Sequence, residues 1–312
     1  MKKLLSIVTV IFLVSTQWPA VAAGQGSESV EAFQRFLEQS LQKRSITRQD
    51  VEAFYDSVSS FWDEDKHVQD YLNNPDRYQP LLSLYYRNQA LYGPDTAPNF
   101  EQFRPEIETF KRFDAKNTVP SNAILFVGSS SIVHWKTAAA FPSYPVINRG
   151  FGGSTLADVN YFYDDVVKKY KPAVIVLYCD NDMYHGDAPS VALQRFQEFS
   201  NRVARDFPST KLLFLSMKPT PTDALYGEHV RENETIANKM IKSFMETRRN
   251  MRYVDVATPM FQNGGPHADI FLSDGMHMNA RGYDIWNPIV AKQLAKLYAP
   301  RIGHERQSPA GN

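Results

Sequence analysis

From residue 124 onward the chain alternates short, wholly apolar runs with longer stretches whose apolar positions recur at helical spacing. The runs are 124–127, 146–147, 173–178, 212–215 and 253–256. A short apolar run that ends in turn residues is the pattern of a parallel strand buried on both faces. The stretches 156–170, 190–206, 228–248 and 280–298 read as amphipathic helices. Strands that alternate with helices of this length predict βαβ units and a central parallel sheet of about five strands, covered on both faces. The expected class is a three-layer α/β/α domain spanning 105–300.

The segment 27–95 has a different pattern. Val30, Phe33, Phe36, Leu37 and Leu41 fall near helical spacing, as do Val51, Phe54, Val58 and Phe61, and glycine is absent from 28 to 91. This predicts a helical appendage. Tyr71, Tyr78, Tyr85, Tyr86 and Tyr92 enrich its second half, and amphipathic core is a commoner use of such residues than a glycan or partner surface. Gly93, Pro94 and Pro98 mark a linker. At the start, Lys2 and Lys3 precede an apolar run over 4–14, and Ala20-Val21-Ala22 supplies a small-x-small pattern. That predicts a signal peptide over 1–23, export to the periplasm or medium, and no transmembrane span in the mature chain. Residues 301–312 read as a flexible tail.

Charge and cysteine content narrow the picture. The 34 basic and 34 acidic residues balance, and loss of Lys2 and Lys3 with the leader leaves a slight acidic excess. Nucleic acid and anionic membrane surfaces are therefore poor candidate partners. Cys179 is the only cysteine, so no intrachain disulfide forms and the core carries stability unaided.

In an open parallel sheet the site lies outside the carboxyl ends of the strands, which directs attention to the residues after each run. The first run leads into Gly128-Ser129-Ser130-Ser131. A serine at a helix start sits among free backbone N–H groups that favour developing negative charge; it can act as a nucleophile if a histidine reaches it, or simply cap the helix. The second run leads into Asn148-Arg149-Gly150-Phe151-Gly152-Gly153-Ser154-Thr155, where glycines allow close backbone approach but no Gly-Lys-Ser/Thr follows to make a phosphate loop. The third leads into Asp180-Asn181-Asp182, whose amide can donate to an oxyanion. Near the C-terminus, Asp274 stands three residues before His277, a spacing that lets a carboxylate orient an imidazole.

In these four blocks the chain resembles the SGNH hydrolases, the GDSL-type esterases and acylhydrolases, over about residues 110–297. The flanking I-L-F-V-G-S-S-S-I-V-H-W and H-M-N-A-R-G-Y-D-I-W are similar to the platelet-activating-factor acetylhydrolase-like branch. The resemblance implies a flavodoxin-like fold and acyl transfer to water without cofactor or metal. It places Ser130 as nucleophile, His277 as base and Asp274 as its orienting partner, with an oxyanion hole made by the Ser130 and Gly153 N–H groups and the Asn181 side chain. Two departures stand out. Ser129 occupies a position where aspartate is usual, and Tyr178-Cys179-Asp180-Asn181-Asp182 is one residue shorter than the family's Y-x-G-x-N-D.

The rival readings lose on spacing. An α/β-hydrolase would carry a G-x-S-x-G elbow, which is absent. A metal site drawn from His267, Asp269, Asp274 and His277 has no H-E-x-x-H or cysteine pair beside it. A catalytically weak glycan-binding or envelope-assembly protein on the same fold is the alternative that the shortened third block leaves. His134, Trp135 and Cys179 are expected to pack, and His185 and Asp187 to lie in a solvated loop near the pocket. The expected function is an exported serine esterase acting on short-chain or O-acetyl esters of a carbohydrate or lipid.

Overall fold

A computed structural model of the chain describes residues 29–63, 65–93, 99–262 and 264–298; the expected signal peptide and tail lie outside them. Among the described residues no helix is long and apolar enough to cross a membrane.

The chain opens with helices α1 (Val30–Ser40), α2 (Arg48–Trp62), α3 (Asp65–Asn73) and α4 (Gln79–Tyr92), and α5 (Arg104–Asp114) follows. Their starts are written locally. Ser29 caps α1 through the Ala32 N–H, and Thr47 and Asp50 form a reciprocal capping box on α2. Pro80 and Pro105 sit in the first turns of α4 and α5, where a missing N–H costs nothing. Phe33, Phe54, Phe61, Trp62 and Tyr78 fill the space between these helices, and Tyr71, Tyr85 and Tyr92 are buried with them. The tyrosines are thus core, and only Tyr86 stays half-exposed.

The sheet has strands β1 (Ile124–Gly128), β2 (Val146–Gly150), β3 (Val174–Tyr178), β4 (Lys211–Leu215) and β5 (Met251–Val254), all parallel in the order β2-β1-β3-β4-β5. Because successive strand side chains point to opposite faces, each apolar run feeds two cores. Leu125, Val127, Ile175, Leu177, Leu212 and Phe214 belong to one, while Ile124, Phe126, Val174, Val176, Leu213 and Leu215 belong to the other. The second core is closed by Trp135, Phe141 and the last helix, α13 (Ala280–Leu297), through Trp286, Val290 and Leu294. The first is closed by the helices between β2 and β5, and it is continuous with the core of the N-terminal helices, from Phe33 to Met276.

The short helices α6 (Ser130–Val133) and α7 (Thr137–Ala140) follow β1. The expected helix over 156–170 is broken into α8 (Leu156–Tyr161), α9 (Tyr163–Val166) and a 3-10 turn at Lys168–Tyr170. Phe162, at the first break, is drawn into the core against Phe151 and Tyr161. After β3 come α10 (Asn181–Tyr184) and α11 (Pro189–Asp206), and α12 (Val230–Glu246) precedes β5. The fifth strand begins two residues earlier than the apolar run suggests.

Candidate active site

The strand order reverses at β1, since β2 lies on one side of it and β3 on the other. The crevice this creates at the carboxyl ends is where an open α/β sheet binds ligands. Gly128, the last residue of β1, has φ 135°, and a Cβ there would meet the Tyr178 carbonyl oxygen at 1.7 Å, so only glycine lets the two strand ends lie this close. Ser129 follows, its N–H donating to the Tyr178 carbonyl at 3.0 Å. Ser130 is then the first residue of α6, so its N–H has no partner inside the helix. The helix is a single turn, and the free N–H groups at its start matter more than its dipole.

Ser129 does not cap this turn. It is fully buried and its hydroxyl donates to Asp180 Oδ1 at 3.1 Å. Asp180 Oδ2 also accepts from the Tyr178 hydroxyl at 2.5 Å and from Lys218 Nζ at 3.2 Å. Asp180 and Lys218 are both buried, and together they form a charged strut directly behind the serine turn. Next in sequence, the Asn181 amide donates to the Ser154 carbonyl at 2.9 Å, which ties it to the loop that carries Gly153. The Cys179 thiol donates to the same carbonyl at 3.3 Å. Asp182 holds the far end of that loop by accepting from the Leu156 N–H at 2.9 Å, and Arg195 neutralises it at 2.6 Å. The short third block therefore closes on the glycine loop without an added residue.

Asp274 and His277 lie on a loop framed by a bridge between Phe271 and Met278. Asp274 Oδ2 meets His277 Nδ1 at 2.8 Å, and Oδ1 accepts from the N–H groups of Met276 and His277 at 2.8 and 2.9 Å. Burial acts to raise the carboxyl's pKa, but the ring contact and these backbone donors outweigh it and hold it below its ordinary value. Asp274 is thus an anion that fixes the His277 tautomer, with the proton on Nδ1 and Nε2 left as the basic nitrogen.

The structure links the two sides of the crevice. The Tyr283 hydroxyl on α13 donates to the Ser131 carbonyl at 2.8 Å, and the His134 ring stands edge-on to His277 with centroids 4.9 Å apart. His134 thus packs on His277 while keeping an exposed edge, whereas Trp135 is buried among Phe126, Phe141 and Trp286. Burial first, then repulsion by His277, lowers the His134 pKa, with Asp274 partly offsetting. Burial and the surrounding carboxylates push the Cys179 thiol well up, so it is no rival nucleophile. Asp187 is paired with Arg195, and of the groups once drawn as a metal site Asp269 takes Arg281 while Asp274 takes His277. Asp180 was read from the sequence only as part of the third block, and Lys218 was not singled out; a lysine three residues after an apolar strand was the available signal for it.

Fold and site together define a class, the serine ester hydrolases built on a parallel α/β sheet. More particularly, the chain belongs to the GDSL-like lipase/acylhydrolase family, whose model matches residues 127–285, just over half its length. No curated protein matches the sequence. Among solved structures, a proposed platelet-activating factor from Streptococcus pneumonia aligns at 22% identity over 62% of this chain and 94% of that one, with a TM-score of 0.56. A GDSL-like lipase from Bacteroides thetaiotaomicron aligns at 16% identity over 64% of this chain and 98% of that one, with a TM-score of 0.52. A proposed acylhydrolase from Bacteroides fragilis gives 17%, 64%, 98% and 0.52. These likenesses show the fold. They also show that more than a third of this chain has no counterpart in proteins that are otherwise matched almost whole.

Proposed function

We propose that the protein is an exported esterase that hydrolyses short-chain or O-acetyl esters of a carbohydrate or lipid through an acyl-enzyme on Ser130. His277 Nε2 takes the Ser130 proton as Oγ attacks the ester carbonyl carbon, and Asp274 stabilises the resulting imidazolium. The N–H groups of Ser130 and Gly153 and the Asn181 amide receive the negative charge on the carbonyl oxygen. Collapse of the tetrahedral species breaks the bond to the alcohol, which leaves with the proton from His277. Water then repeats the sequence on the acyl-serine, releasing the acid and restoring the hydroxyl.

The observation that supports this reading is the Asp274–His277 pair, hydrogen-bonded at 2.8 Å, with His277 edge-on to His134 at the end of the Ser130 turn. Export rests on the leader pattern, and the preference for neutral acyl esters over anionic surfaces rests on the balanced charge. Turnover of a short aryl ester with Ser130→Ala as control tests the chemistry. A screen of acetylated sugars, short and long acyl esters and lysophospholipids tests the substrate class. Turnover unchanged in Ser130→Ala would overturn the mechanism.

A further inference from the structure

The loop that carries Asp274 and His277 is internally complete. The Leu272 N–H donates to the His277 carbonyl at 2.7 Å, the Gly275 N–H to the Leu272 carbonyl at 3.0 Å, and both oxygens of Asp274 are satisfied within 274–277. Such a loop keeps the Asp–His geometry wherever it is placed. What it does not fix by itself is its distance from Ser130, and that depends on what it leans against.

It leans against the N-terminal helices. Gln69 on α3 donates through Nε2 to the Ser273 carbonyl. Gly275, at φ 64°, lies so close to α3 that a Cβ there would stand 3.2 Å from both methyls of Leu72 and 2.8 Å from Thr222 Cγ2. Thr222 holds the loop in turn, its hydroxyl donating to the Gly275 carbonyl at 3.1 Å, and the Tyr226 hydroxyl reaches Met276 Sδ at 3.5 Å. The segment that carries Thr222 and Tyr226 is itself fastened to α4. Tyr86 donates to the Ala224 carbonyl at 2.7 Å and Gln89 to the Tyr226 carbonyl at 2.8 Å. Direct contact from α3 and indirect contact through α4 thus converge on residues 273–276. All of these helices precede the family match, which begins at residue 127.

We infer that the N-terminal helices are the back wall of the active site, with Leu72 and Gln69 acting as positioning residues that set how far His277 stands from Ser130. The inference rests on the roles proposed above for Ser130 and His277. It gives the appendage a part in turnover of even the smallest ester, where a mere substrate platform would matter only for large ones. The expected signature follows from the loop's self-sufficiency. Moving an intact Asp–His pair away from the serine slows the chemical step but leaves substrate binding alone.

The test compares variants of the full chain on a short aryl ester. Leu72→Ala should lower kcat by about tenfold or more with KM within about twofold, since small misplacements of a catalytic group are costly. Leu72→Met, which keeps the volume, should restore kcat to within about twofold of the parent. Gln69→Ala should cost about threefold in kcat and serves alone if Leu72→Ala does not fold. Phe33→Leu, which loosens the same bundle where Phe33 stacks on Phe61, should lower the melting temperature yet keep kcat within about twofold well below it. Parental kcat in both Leu72→Ala and Gln69→Ala would overturn the inference, and so would an equal loss in Phe33→Leu. His277→Ala run alongside separates the two levels: if it stays active the mechanism fails, and if it is inactive while Leu72→Ala and Gln69→Ala are both unimpaired only the back wall fails.

Discussion

On the serine side of the site, three neighbouring strands deliver Ser130, Gly153 and Asn181, whereas on the histidine side Asp274 and His277 share one loop that belongs to no strand of the sheet. The first side is fixed by the ladder between β1, β2 and β3, by the close approach at Gly128, and by the buried Asp180–Lys218 pair. The second is fixed by side chains that come from distant parts of the chain. On the proposed mechanism the difference separates two tasks: receiving negative charge calls for donors that do not reorganise, as strand ends can supply. Proton transfer calls for a set distance, which a loop resting on side chains would take from helices outside the sheet.

The largest effects should come from breaking either side outright. Ser130→Ala and His277→Ala should each lower kcat/KM by on the order of 10⁴-fold or more, as expected of members of one catalytic unit. An organophosphonate should label the protein once, at Ser130, by peptide mapping; label on Ser129 or Ser131 would move the nucleophile.

Within the serine side, Asn181→Ala should reduce kcat by roughly 10²–10³-fold with little change in KM, because the amide acts on the transition state. A change in KM alone would make Asn181 a binding residue instead.

The strut behind the turn should show itself first in stability. Asp180→Asn strands the Lys218 ammonium in the interior and should cost about 3 kcal/mol in urea unfolding, as loss of one partner of a buried pair does. Adding Lys218→Met should recover most of that. If the double variant is no more stable than Asp180→Asn, the pair is not the strut described.

The smallest effect concerns pH. Asp274 has a lowered pKa, so it stays ionised from well below neutral upward, and the contribution of its ring contact to stability is lost only as pH falls through that lowered value. The acid limb of the rate therefore does not report Asp274. His134 resists protonation in the folded state relative to its ordinary 6.5, so the unfolded chain binds a proton more readily and stability falls as pH drops below that value. His134→Gln should leave turnover at pH 7 within about twofold and lose less melting temperature than the parent between pH 7 and 5. An equal loss in both would place His134 outside this balance.

The parallel sheet was legible because strands buried on both faces read as unbroken apolar runs. The two edge strands are the exceptions: in β2 the apolar run covers only the first two of five residues, and in β5 Arg252 is exposed and Tyr253 half-exposed, which displaced the expected strand by two residues. The break at Phe162 was hidden because tertiary packing of an aromatic overrode a continuous helical pattern. The four blocks of the candidate site could be picked out because each sits a few residues after a strand or within one short loop. The support of the loop was not. Gln69 and Ser273 stand 204 residues apart, and neither has a spacing or composition that marks it.

Cys179 gives the fold a property unrelated to turnover. It is the chain's one thiol, fully buried at the end of β3, the middle strand of the sheet, and held in its protonated, unreactive form. Reagents that alkylate thiols can reach it only when the centre of the molecule opens. The rate at which such a reagent is consumed is therefore a clock for that opening, built into the native sequence and readable at a single atom without any added label.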